Sequence, residues 1–267
     1  MYDSSFQINN IYKTQILTED KEFLIIYKPP RMHSAPLKKK LAEHDRTDNT
    51  LDHWSMSFPE LKSLPAKREG EGGLLHRLDY ETNGLLLFAR TKKAMENLSA
   101  QQREGTFVKR YSALASKSDV MLPGFPEKIF PKADFPSQIS SAFRPYGPGR
   151  KSVRPVTIDD SMNKKKEIAL DNGELYRTEI LGSKTIKAQS DIPELVQFDI
   201  KLYRGFRHQI RCHLAWLGMP IVNDSLYGGI SFGNAYLALR AYSLSFTHPV
   251  TGEELCFSVE KVINFAL

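Results

Sequence analysis

The chain has 267 residues, 41% of them hydrophobic, and 37 Lys and Arg against 31 Asp and Glu give a net charge of +6. That is apolar material for one large domain or two small ones, and the basic excess suits a polyanionic partner as well as it suits simple solubility. Cys212 and Cys256 lie outside any CxxC or zinc spacing and no apolar run approaches the ~20 residues of a membrane span, which argues against a disulfide framework, a zinc site and a membrane helix.

The N-terminal segment lacks a basic start followed by an apolar core, so a reducing cytoplasm is the expected compartment. FLIIYK, Phe23 to Lys28, is predicted as the first strand, stopped by Pro29 and Pro30, which cannot donate to a ladder. The polar stretch from His33 to Gly73, with a Lys run at Lys38 to Lys40, reads as loop and short helix. GLLLFA, Gly84 to Ala89, is continuously apolar and too short for a typical helix, so it is expected as a strand buried on both faces. Thr91 is placed to cap a helix running to about Arg103, with Ala94, Met95 and Leu98 on one face and Gly105 at its end. KRYSALA should open another strand at Lys109.

The segment from Lys117 to Asp191 is rich in Pro, Gly, Lys and Ser, contains GPGRK and a second Lys run at Lys164 to Lys166, and yields no predicted elements. In LVQFDIKLY, Leu195 to Tyr203, Val196, Phe198, Ile200 and Leu202 alternate with polar residues, which predicts a strand with one buried and one wet face. RHQIRCHLAWLG has helical spacing, with Ile210, Leu214 and Leu217 as an apolar stripe, Gly218 as a left-handed stop, and Arg207 and Arg211 one turn apart and able to face the same anion. The closing stretch reads as two strands joined by a turn at Pro249 to Gly252.

For chemistry, HRLDYETNG sets Asp79 after two potential cations and ahead of a turn at Asn83 and Gly84. An opposite charge lowers a carboxyl pKa, and an ionised Asp suits nucleophilic catalysis, although local spacing alone favours an Asp capping its own turn with Arg77 in a surface ion pair. His208 and His213, five apart, diverge on a helix, and HExxH, acidic clusters and GxSxG are missing, so neither a metal nor a cofactor is expected. GPGRK is a weak phosphate-loop signal and reads better as a turn. Tyr111, after Lys109 and Arg110, is a ring beside cations that could stack on a base while they hold phosphates, or a plain core or sheet-surface residue.

HRLDYETNGLLLFART closely resembles the catalytic motif of the RluA-type pseudouridine synthases. FLIIYKPP resembles the family's Lys-Pro strand ending, KRYSAL its Lys-x-Tyr motif, RHQIRCHLAWLGMPIVNDSLYG its HQIR helix with the following Asp-x-x-Tyr-Gly, and LALRAYSLSFTHPVTG its closing strands, all in family order. The resemblance implies an α+β fold: a single catalytic domain on a long mixed but largely antiparallel sheet, flanked by helices and loops, with a central cleft. Residues 1–16 would be an N-terminal extension, residues 117–191 a variable insert, and the family's frequent N-terminal RNA-binding module would be missing. It further implies a monomeric enzyme that isomerises uridines in ribosomal or transfer RNA without a cofactor, rather than a non-catalytic RNA-binding protein that keeps the fold. Asp79 is then the nucleophile, Tyr111 the ring stacked on the base and Arg211 the partner of Asp79. Lys28, Lys109 and Ile210 would line or support the pocket, His76 and Arg77 would position the loop or touch RNA, and Arg207 and His208 would contact the substrate. The chain departs from the family pattern at Asn83, where Ser is usual, at Phe206 and Arg207 ahead of HQIR, and at Arg240, where His is common.

Overall fold

The computed structural model describes residues 2–37, 48–65, 69–129, 135, 137–157, 168–186, 193–232 and 235–261; the Lys runs at Lys38 to Lys40 and Lys164 to Lys166 lie outside them. The chain divides into two compact units, residues 2–109 with 240–261, and residues 110–239. Both are α+β. Strand pairing is mixed in the first, where Tyr2–Phe6 runs parallel to Glu254–Val259 and Asn83–Ala89 to Leu239–Thr247. In the second, Gln138–Tyr146 pairs antiparallel with Ser152–Val156 and with Tyr176–Ile186, as does Tyr176–Ile186 with Leu195–Leu202.

In the first unit the strands β1 (Tyr2–Phe6), β2 (Gln15–Glu19), β3 (Phe23–Lys28), β4 (Asn83–Ala89), β10 (Leu239–Thr247) and β11 (Glu254–Val259) lie in the order β2-β3-β4-β10-β11-β1. FLIIYK is therefore the third strand of the chain, not the first. β1 runs parallel to β11 from Tyr2 against Leu255 to Phe6 against Val259, and its half-exposed residues carry no alternation that would have announced it. β3 and β4 are buried along their whole length and pair antiparallel from Phe23 opposite Ala89 to Lys28 opposite Gly84, as their unbroken apolar runs require. Two short helices, α1 (Thr50–Ser55) and α2 (Glu60–Ser63), occupy the polar stretch between them, and α1 is capped by Asn49 Oδ1, which accepts from Asp52 N at 2.9 Å.

Helix α3 (Lys92–Glu104) begins and ends as its residues predict: Thr91 Oγ1 accepts from Ala94 N at 3.1 Å, and Gly105 takes φ of 78°. Its buried residues Ala94, Met95 and Leu98 join Phe23, Ile25, Leu85, Leu87, Phe107, Phe246 and Phe257 in the core of this unit. The hairpin of β10 and β11 turns at residues 248–252.

In the second unit the order is β5-β9-β8-β6-β7, from β5 (Val108–Ser116), β9 (Leu195–Leu202), β8 (Tyr176–Ile186), β6 (Gln138–Tyr146) and β7 (Ser152–Val156). Three of these strands fall in the segment that gave no predicted elements. β9 buries Val196, Phe198, Ile200 and Leu202 as expected, but its polar face is half-buried rather than wet. GPGRK is a turn, linking β6 to β7 through a short 3-10 stretch. Helix α4 (Gln209–Trp216) is buried at every position, so the amphipathic reading is corrected: its polar residues also face protein, for reasons given below. Gly218 ends it with φ of 78°.

Candidate active site

Residues 73–75 run alongside β4, with Leu75 N donating to Leu87 O and Ala89 N to Gly73 O, and the chain then leaves as a loop that re-enters the sheet at Asn83. Both ends of the loop carrying Asp79 are thus fastened to the strand it feeds. Between them the backbone is gripped by two buried side chains. The Ser34 hydroxyl donates to Leu78 O at 3.1 Å and accepts from Leu78 N at 3.0 Å. The Lys28 ammonium donates to Pro29 O and Met32 O, each at 2.8 Å, and to Tyr80 O at 3.3 Å. Thr82 N closes a turn onto Asp79 O at 3.1 Å.

Lys28 is fully buried at the end of β3, because the antiparallel register places it opposite Gly84, which has no side chain. Burial pulls its pKa from 10.5 down to about 7, while the carboxylates of Asp79 and Glu81 oppose that shift. A buried cation therefore acts electrostatically on Asp79, which is itself half-buried. Arg77, the neighbour expected to serve the acid, has its Nη1 3.1 Å from Glu71 Oε1. His76 sets its ring 5.7 Å from that of Phe107, and His33 stacks 4.7 Å from Tyr80.

At the loop's exit the two departures in this unit meet: Arg240 Nε donates to Asn83 Oδ1 at 2.9 Å, and the Tyr27 hydroxyl donates to the same oxygen at 3.3 Å.

In the second unit Tyr111 is buried on β5. Of the two cations that precede it, Arg110 is exposed and Lys109 buried. Each polar residue of HQIR has its own partner. His208, at φ of 56°, precedes α4 with Nδ1 3.2 Å from the Tyr227 hydroxyl. Gln209 donates to Arg177 O at 2.8 Å and accepts from Phe206 N at 3.0 Å, Ile210 is buried, and His213 lies between Ser141 and Thr178 at 2.9 and 2.8 Å. Burial lowers the His213 pKa to about 3, so this is a neutral core imidazole.

Arg211 forms a forked ion pair with Asp224, Nε to Oδ2 at 2.7 Å and Nη2 to Oδ1 at 2.8 Å, with side chains only 6% and 0% exposed. The guanidinium carbon also lies 5.4 Å from the centre of the Tyr227 ring. Arg207 does not share an anion with it: its Nη2 donates to Arg150 O and Ser152 O at 2.9 and 3.0 Å, because it lies ahead of the first helical turn rather than on it. Asp224 had no role assigned from sequence; the signal for it was that a buried arginine needs a buried acid, and the Asp-x-x-Tyr segment offers one. Among the described residues no three His, Cys, Asp or Glu are grouped to hold a metal ion, and no helix is long and apolar enough to cross a membrane.

The α+β fold is similar to that of human RNA pseudouridylate synthase domain containing 1, with a TM-score of 0.56 at 20% identity over 93% of this chain and 84% of that one. The chain belongs to the RNA pseudouridylate synthase family, whose model matches residues 22–216. It is 27% identical over 251 residues to an uncharacterized RNA pseudouridine synthase of Helicobacter pylori strain J99, covering 92% of this chain and 65% of that protein. It is 28% identical to the ribosomal large subunit pseudouridine synthase D of Neisseria meningitidis serogroup A, covering 91% of this chain and 56% of that one. The chain thus spans about two thirds or less of the length of these relatives.

Proposed function

We propose that the protein converts uridine to pseudouridine in ribosomal or transfer RNA, acting as a cytoplasmic monomer with Asp79 as its nucleophile. The observation that carries this reading is the immobilised Asp79 loop with the buried Lys28 acting on it, in a chain of this family. The reaction breaks the glycosidic C–N bond, turns the uracil and rejoins the sugar to C5, so reactant and product are isomers and no co-reactant is consumed. A stacked base is out of reach, so the target nucleotide must be extruded first. In this reading Tyr111 supplies the face on which the uracil lies and Arg211, held by Asp224, supplies the guanidinium that keeps the nucleophile charged. Lys28 and Ser34 hold the loop. Lys109 and Ile210 support the base, and His76, Arg77, Arg207 and His208 serve RNA contact.

The test is incubation of the purified protein with ribosomal and transfer RNA transcripts, followed by nucleoside chromatography. Pseudouridine should form with the wild type. Asp79→Asn should form none, a loss of at least about a thousandfold, while RNA affinity stays within about threefold. Full activity in Asp79→Asn overturns the nucleophile assignment, and free uracil or cleaved strands overturn the isomerase reading.

A further inference from the structure

We infer that Asn83 and Arg240 together form a positioning clamp that fixes where the Asp79 loop lands on the sheet; its catalytic meaning rests on the reading of Asp79 as nucleophile. β4 and β10 run parallel with Asn83 opposite Arg240 and Gly84 opposite Ala241, at the start of both strands and directly after the loop. The approach is close: a Cβ on Gly84 would lie 2.2 Å from Ala241 O, and Gly84 takes φ of 127°. Across this junction Arg240 Nε donates to Asn83 Oδ1 at 2.9 Å and Arg240 Nη1 to Glu260 O at 2.9 Å. Tyr27, from β3 on the other side of β4, reaches the same Asn83 oxygen. Asn83 is fully buried and Arg240 4% exposed.

The clamp is stiff for identifiable reasons. A planar guanidinium that bonds in two directions fixes its own orientation, and Asn83 Oδ1 receives donors from the strands on either side. From that oxygen the chain needs only the Thr82 to Asp79 turn to reach the acid. The residue types also answer one another. Arg240 can only donate, so it needs a fixed acceptor within reach, and the Asn83 amide extends its oxygen one bond further from the backbone than a serine hydroxyl would. The two side chains are therefore matched across the junction as donor and acceptor, and neither touches the base or the sugar in this proposal.

The experiment combines the single variants Asn83→Ser and Arg240→His, the double variant and Arg240→Ala, with two readouts. Backbone amide exchange over residues 78–84 reads the clamp directly: each single variant and Arg240→Ala should accelerate it at least about tenfold while β3 and β11 stay protected, and the double variant should exchange no more than about twofold faster than the worse single, since both remove one bond. Steady-state turnover on RNA should show kcat falling about ten- to a hundredfold in the singles with KM within about twofold, and little further loss in the double. Unchanged exchange in Asn83→Ser and Arg240→His overturns the clamp, as does a loss confined to KM. Because exchange is read without substrate, a wild type that makes no pseudouridine would defeat the proposed function while still deciding the clamp. Should Arg240→Ala fail to fold, Asn83→Ser draws the acceptor back by one bond with the arginine in place and decides the matter.

Discussion

The Asp79 loop and the α4 segment solve the same problem in opposite ways. Each holds a charged side chain in a defined place, but the loop does it with hydrogen bonds to its own backbone, from Ser34 and Lys28, while α4 does it with one charged pair, Arg211 on Asp224. Backbone anchoring does not draw on the acid side chain and spreads the restraint over several moderate bonds. Pairing concentrates it in one interaction, because a charge taken out of water is tolerable only while its partner is there.

Removing a partner from each region sharpens the contrast. Asp224→Ala strands a buried guanidinium and should cost about 3–5 kcal/mol in denaturant unfolding, with loss of activity; a cost under about 1 kcal/mol would break the comparison. Lys28 should act through pH. Its pKa of about 7 in the folded protein lies below 10.5 in the unfolded chain, so the unfolded state binds more protons between these values. The Lys28 contribution to stability is thus fully present above about pH 10.5 and is lost as pH falls through about 7. The stability of the wild type relative to Lys28→Met should accordingly rise with pH across this window, by on the order of a few kcal/mol, and a pH-independent difference would remove the buried-cation account. Ser34→Ala should cost least, about 1–3 kcal/mol for leaving both Leu78 backbone groups without their hydroxyl partner, again read by denaturant unfolding.

What the sequence made legible follows the same division. β3, β4 and α3 are set by local signals: an unbroken apolar run, a Thr cap, a Gly stop. The Asp79 loop is singled out differently, since local spacing alone favours a turn-capping Asp and only the resemblance carried by several ordered motifs points to chemistry there. β1 and β2 are short and half-exposed, and β8 carries a register shift between Ile180 and Gly182 with an exposed run after it, so neither period could show. The polar residues of α4 look solvent-facing until their partners are known: Ser141 and Thr178 come from distant parts of the chain, and Asp224 and Tyr227 from the segment that follows the helix, whose return onto it has no local signal. Asn83 and Arg240 were noticed only as departures from a pattern, since 157 residues separate them and nothing local says that they meet.

Gly84 sets a limit on what engineering can do here. With backbone atoms of Ala241 occupying the space that any side chain would need, a saturation library at this position should return glycine alone, whatever is selected for. New specificities would have to be sought in the surrounding loops, because the junction of the two strands offers no room for variation.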